Sequence, residues 1–334
     1  MSNTLGKAPI DLASRIVRYK DLRPCFDAFI DTRTPGSNRK ENFTIIGPGV
    51  SENPAQHVHI AEAHGFNIGG ARQPPGCTNS QHSHETAEVF YVHSGTWRFQ
   101  LGEHGEDACA TLSPGDLISI PTHLFRGFTN IGDTDGFLWA ILGGDDPGRV
   151  LWAPKVFELA ERYGLVLLEN GCLVDTAKGE ALPAHARPIR ATTEAQVNAL
   201  QRFCDAQLEA CICRSSGRRS AAQDGGAFHG VPGVCETRLI GEGGLDWAHG
   251  FVASEVSLAP GAAIPRHQID ARDVWFVQSG ILDVDVAGTK TRCAPGDTLT
   301  VPCGAERAFF NRESNPATMV AVRSGDQAPN IIWS

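Results

Sequence analysis

The chain repeats itself, and the repeat limits how it can fold before any local pattern is read. Gly76, His82, Glu88 and Gly95 are answered by Gly261, His267, Asp273 and Gly280, each 185 positions later. Further on, "PGDLISIPTHLFRGFTN" from Pro114 is answered by "PGDTLTVPCGAERAFFN" from Pro295, and here the offset is 181. The four-residue difference fits a shorter hairpin in the second copy. At 334 residues the chain exceeds one ordinary domain, and the repeat predicts two of similar build.

Local patterning says what each copy is made of. "AEVFYVHSGTWRFQLGE" is rich in β-branched and aromatic residues and is broken by Ser94-Gly95, the pattern of strands joined by a tight turn. "SPGDLISIPTHLFRGFTN" reads as turn, strand, turn, strand, punctuated by Pro114-Gly115 and Pro121. Short strands at this spacing predict an all-β sandwich or barrel, twice over.

Between the copies the period becomes helical. "APKVFELAERYG" has Pro154 at a first helical position and Gly164 as a stop, and "TEAQVNALQRFCDAQLEAC" offers Thr193 and Gln196 as a capping box. These helices are expected to pack across the two barrels as a connector. The expected division is an N-terminal arm over 1–40, a first barrel over 41–147, a helical connector and flexible loop over 148–226, and a second barrel over 227–334. Arg214, Arg218 and Arg219 in that loop read as a solvated charge run.

Charge narrows the partners. With 29 Lys+Arg against 38 Asp+Glu the formal net charge is −9, which argues against nucleic acid and anionic membranes and leaves a small molecule as the expected ligand. The N-terminus lacks the apolar core of a signal peptide, and no apolar run reaches membrane length, so a cytoplasmic protein is expected. Ten scattered cysteines then read as reduced thiols. The cluster Cys204, Cys211 and Cys213 lacks the fourth ligand and knuckle spacing of a zinc site.

The chemistry concentrates in one stretch. Residues two apart on a strand share a face, so His82 and His84 point the same way, and Glu88 can join them across a turn. Two imidazoles and a carboxylate meeting at one point form the facial triad of non-haem iron sites, which leaves coordination positions open. His57-Val58-His59 has the same spacing without a companion carboxylate.

Gly76-x5-His82-x-His84-x3-Glu88-x6-Gly95, followed by Gly115-x5-Pro121-x4-Arg126-x3-Asn130, resembles the two motifs of the cupin superfamily. The tandem copies resemble bicupins of the quercetin dioxygenase-like kind. The resemblance implies two jelly-roll β-barrels and one divalent metal ion per chain on His82, His84 and Glu88, with Fe(II) favoured and Mn, Ni, Co, Cu or Zn as alternatives. It further implies a dioxygenase that uses dioxygen to cleave a small aromatic or enolic substrate, with an anionic group where Arg126 can hold it. Phe90, Phe99 and Phe128 would clasp the ring, and Glu88 would move a proton. A cupin isomerase, lyase or hydrolase is the alternative, and a non-catalytic binding cupin the third class.

The family pattern usually supplies a third histidine where this chain has Arg126, and a guanidinium has no lone pair to offer. Arg126 is therefore expected to pair with an internal acid such as Glu88, to act in catalysis on a substrate anion, or to fold onto backbone carbonyls. His123 is expected at the rim, and Tyr91 and His93 face outward or between sheets. In the second copy Ile269, Asp273 and Arg307 stand where His84, Glu88 and Arg126 do. That barrel is expected to be free of metal, serving structure or a small organic ligand. Monomer and homodimer both remain open.

Overall fold

The computed structural model describes residues 10–218 and 226–334. They divide into two units, residues 22–218 and residues 10–21 with 226–334. In the first unit a five-stranded sheet runs in the order Val150–Trp152, Thr78–His84, Arg126–Asn130, Trp97–Leu101, Ala108–Leu112. A seven-stranded sheet centred on Glu88–Ser94, Gly136–Gly143 and Phe66–Gln73 packs against it. Phe99 and Phe128 from one sheet meet Phe90, Val92 and Leu138 from the other in a single apolar core.

The second unit repeats the plan. Its six-stranded sheet is centred on Asp273–Ser279 and Ala317–Ser324, and its five-stranded sheet holds Ala263–Ile269 beside Arg307–Phe310. Trp275, Val256, Phe309 and Met319 fill its core. Both units are jelly rolls, in tandem along an all-β chain.

The repeat's change of offset lies in one hairpin. In the first copy residues 102–107 join the closing pair Leu101↔Ala108; in the second only Ala287 and Gly288 join Val286↔Thr289. Both linking residues have positive φ, 49° and 86°, the conformation a two-residue turn needs to follow the twist of its strands. Gly95 is fixed for a different reason. At φ +85° a Cβ there would meet the Cα of Gly136 at 2.6 Å, so the turn into the next strand admits no side chain.

Three features differ from the sequence expectation. Residues 10–40 do not act as one arm, and residues 1–9 of the expected arm lie outside the described residues. Ile16–Val17 adds an edge strand to the second unit, opposite Leu299 and Thr298, whereas residues 22–40 pack into the first, with Ile30, Asp31 and Lys40 buried. Asp297 holds the edge strand by an ion pair with Arg18 at 2.7 Å.

The helical stretch after Thr193 breaks in two, Glu194–Asn198 behind the expected capping box and Asp205–Glu209. Between them Gln201 N–H donates to the His123 carbonyl at 2.8 Å, so the backbone leaves the helix to bond a barrel loop. Leu208 then joins the first barrel's core. The helix Pro154–Arg162 packs on the first unit too, with Val156 and Ala160 against Trp152 and Phe125.

Arg214 and Arg218 are not a solvated run. Arg214 pairs with Glu209 at 2.6 Å and with Asp116 at 3.4 Å, and Arg218 donates to the Gly115 carbonyl, so both reach the turn at residues 115–116. Arg219 lies outside the described residues. All ten cysteines are free thiols, and no helix among the described residues is long and apolar enough to cross a membrane.

Candidate metal centre

The strand Thr78–His84 places His82 and His84 two apart on its inner face, both buried. A three-residue link, 85–87, carries the chain to the facing sheet, where Glu88 opens the strand Glu88–Ser94. The carboxylate therefore reaches the imidazoles from across the barrel. His84 Nε2 lies 3.4 Å from Glu88 Oε1, and His82 Nε2 lies 3.7 Å from Oε2. The imidazole rings stand at 90° with centroids 5.0 Å apart. Among the described residues this is the one group of three or more His, Cys, Asp or Glu whose ligand atoms all lie within 4.8 Å of one another.

The protonation states suit a cation. His82 Nδ1 sits 2.7 Å from the Ser80 carbonyl, so the proton is on Nδ1 and the Nε2 lone pair faces inward. Burial pushes His84 down to about 4 against the pull of Glu88, leaving that ring neutral. Burial opposes ionisation of Glu88, yet His84, His82 and Arg126 together hold its carboxyl well below the usual range. Glu88 Oε2 is buried without a hydrogen-bond partner. Two imidazoles whose Nε2 atoms face an ionised, under-bonded carboxylate fit a divalent metal ion.

Arg126 stands opposite His82 in the strand ladder and is fully buried. Its Nε approaches Glu88 Oε2 at 3.3 Å, and its Nη1 donates to the Leu124 carbonyl at 3.2 Å. Burial lowers its pKa to about 10 against the pull of Glu88, so it stays charged. It is absent from the wall of the adjoining cavity. His123 is exposed at the rim with φ 57°. Tyr91 is buried and His93 half-buried, and neither lines the cavity.

That cavity has a volume of about 70 Å³, enough for several waters or a small ligand. Phe90 and Phe128 line it, with Phe29, Phe43, Leu142 and Trp152. Phe99 does not: it sits in the core, 5.3 Å from Phe90 and 5.5 Å from Phe128, and supports them.

Three supports were not legible in the motif. Trp152 pairs with His82 across the ladder, its ring 5.3 Å from the imidazole, and donates Nε1–H to Glu52 at 2.6 Å. Glu52, pushed up to about 8 by burial, also accepts from Ile30 N–H at 2.7 Å. Beneath His82, Lys40 is paired with Asp31 and donates to Asn79 Oδ1 at 2.7 Å. One signal existed: Trp152 and Trp333 share the 181 offset of the second motif, and Trp333 pairs with His267 as Trp152 does with His82.

The comparisons agree with this architecture. A family model described as "Cupin domain" matches residues 71–141 and 254–323. A germin-like protein, subfamily 1 member 4, of Arabidopsis thaliana is 28% identical over 134 residues, 38% of this chain and 60% of that protein; the chain thus spans about 60% of the length of this curated relative. A crystal structure of Lactobacillus farciminis oxalate decarboxylase with formate superposes with a TM-score of 0.60 at 11% identity, covering 95% of this chain and 88% of that one. The oxalate decarboxylase of Bacillus subtilis at pH 4.6 gives 0.57 at 12% identity, covering 96% and 78%. Two matched barrels in one chain, a metal-competent triad in the first and the same tandem fold in these structures make this protein a bicupin of the cupin superfamily.

Proposed function

We propose that the first barrel is the active site of a metal-dependent bicupin enzyme, a dioxygenase that cleaves a small aromatic or enolic substrate carrying one anionic oxygen. The observation that carries this reading is the cavity wall: aromatic and aliphatic side chains and a few neutral amides and hydroxyls surround the triad, and among the described residues neither lysine nor arginine lines it. A ring or enol body is at home there, and a metal held by the triad would serve its single oxyanion. A bound divalent ion, Fe(II) by preference, would supply charge stabilisation for that oxygen and a neighbouring position for dioxygen. His82, His84 and Glu88 would hold it. Phe90 and Phe128 exclude water and orient the ring, while Phe29, Phe43 and Trp152 close the other walls. Glu88, with Oε2 unbonded, is the group placed to take or return a proton.

A second reading, a lyase that releases carbon dioxide, draws on the tandem fold shared with the oxalate decarboxylases. A dianionic substrate would find no fixed cation on this cavity wall, which favours the first reading. The test is oxygen uptake by protein reconstituted with Fe(II) or Mn(II) and offered small enols, phenols and oxalate. Uptake coupled to cleavage of an enol or phenol is expected. Carbon dioxide release from oxalate without net oxygen uptake would overturn the dioxygenase in favour of the lyase.

A further inference from the structure

The strand registers align the two barrel interiors position by position. In the first barrel Thr44 pairs with Gly69 and Glu88 with Leu142, and all four line the cavity. In the second, Arg238 pairs with Ser254 and Asp273 with Arg323 at the matching places. Arg307 stands opposite His267 as Arg126 stands opposite His82. Two neutral wall residues of the first barrel, Thr44 and Leu142, are thus guanidiniums in the second.

These guanidiniums are not saturated. Arg323, 1% exposed, reaches Glu236 at 3.3 Å and lies over the rings of Phe228 and Trp275, yet its Nε and Nη2 have no hydrogen-bond partner. Arg307, fully buried, donates Nη2–H to the Pro302 carbonyl at 2.9 Å and faces Asp273 at 3.7 Å, and its Nε and Nη1 lack hydrogen-bond partners. Half-buried Arg238 leaves Nη1 without one, beside the orphaned hydroxyl of buried Ser254. On the acceptor side Asp273 Oδ1, His267 Nε2 and the Ser254 hydroxyl are the unbonded atoms in this group.

The charges do not balance either. Three guanidiniums face two buried carboxylates, Glu236 and Asp273; the exposed Glu242 acts on Arg238 from the surface. His267 adds no charge, since its Nδ1 lies 2.8 Å from the Pro265 carbonyl and burial lowers its pKa to about 4. Buried charged donors without acceptors are costly, and an anion among them removes the cost.

We propose that the second barrel binds a small carboxylate anion between Arg238, Arg307 and Arg323. Guanidinium forks match a planar carboxylate by paired hydrogen bonds, and the rings of Trp275 and Phe228 suit the short apolar body of a monocarboxylate. The first barrel then gathers a cation from two imidazoles and a carboxylate, and the second gathers an anion from three guanidiniums.

The test is titration of acetate into the full-length protein after metal is stripped with a chelator, at fixed ionic strength, so that no metal in the first barrel holds the probe. One saturable site per chain is expected. Arg323→Leu, which installs the first barrel's residue, should weaken it by about tenfold or more. Arg238→Gln, milder because Arg238 is half-buried, should weaken it as well. Absence of saturable binding in the parent, or equal affinity in the parent and both variants, would overturn the proposal. A crystal grown at high acetate that shows only water on these guanidiniums would do the same.

Discussion

Opposite His82 in the ladder stands Arg126 with Trp152 on the other side, and opposite His267 stand Arg307 and Trp333 in the same arrangement. The backbone frame is therefore shared, and the difference between the barrels is made by a few side chains. Phe90 of the first barrel answers to Trp275 of the second. The indole donates to Asp273 Oδ2 at 2.8 Å, so the carboxylate that should turn to a metal is bonded elsewhere. Ile269 removes one imidazole, and Arg323 places a fixed cation where Leu142 leaves space. On the same strand frame the second barrel thus redirects its carboxylate and exchanges one imidazole and one aliphatic wall residue for an isoleucine and a guanidinium.

The largest effect that separates the barrels is metal retention. His82→Ala and His84→Ala should each take the protein from about one bound divalent ion per chain to none after gel filtration, because two remaining ligands do not hold a first-row ion against water. His267→Ala should keep the parent's metal content. Metal analysis showing equal occupancy in a His82/His84 double variant and the parent would break the comparison.

Much of this contrast was legible in the sequence because it rests on spacing. The two glycines and His82, His84 and Glu88 stand at fixed intervals, and the same intervals in the second copy expose what has changed. The parts that were not legible depend on packing across the fold. Phe99 alternates onto the inner face with its neighbours, but only the assembled core shows that Phe90 and Phe128 stand between it and the cavity. Glu52 lies on a loop with no motif, and its contact with Trp152 spans 100 residues of chain. The helical period after Thr193 was real for one turn, then yielded to a backbone bond from Gln201 to the barrel. Tertiary bonding overrode local propensity there.

Arg126 and Arg307 sharpen the comparison at the next level. Arg126 is off the cavity wall and its charge serves Glu88, a role that a bound metal would share. Arg126→Gln should therefore cost about 3 kcal/mol of stability in metal-free protein, the range for breaking a buried pair, and under about 1 kcal/mol once metal neutralises Glu88. Arg307→Gln should cost the same with or without metal. Denaturant unfolding of each variant, stripped and reconstituted, measures the difference. Metal-independent loss in Arg126→Gln would erase the distinction, and a sharply raised KM with unchanged stability would return Arg126 to the substrate.

The smallest effect concerns the tryptophans that flank the two histidines. Trp333 is 44% exposed, whereas Trp152 is buried and held by Glu52. Burial raises the Glu52 carboxyl to about 8, although the hydrogen bonds from Trp152 and Ile30 favour its charge. An unfolded chain releases this proton near the ordinary glutamate value of 4.5, so between there and about 8 the folded state holds a proton the unfolded state has lost. Stability from this group is thus fully present below pH 4.5, declines as pH rises through the window, and levels off above about 8. Glu52→Gln keeps an oxygen for the indole and removes the titration, so its thermal midpoint should vary less between pH 5 and 8 than the parent's. Parallel midpoints in parent and variant across that range would mean that Glu52 is ionised in the folded protein, and that Trp152 is held by a charged partner and not a neutral one.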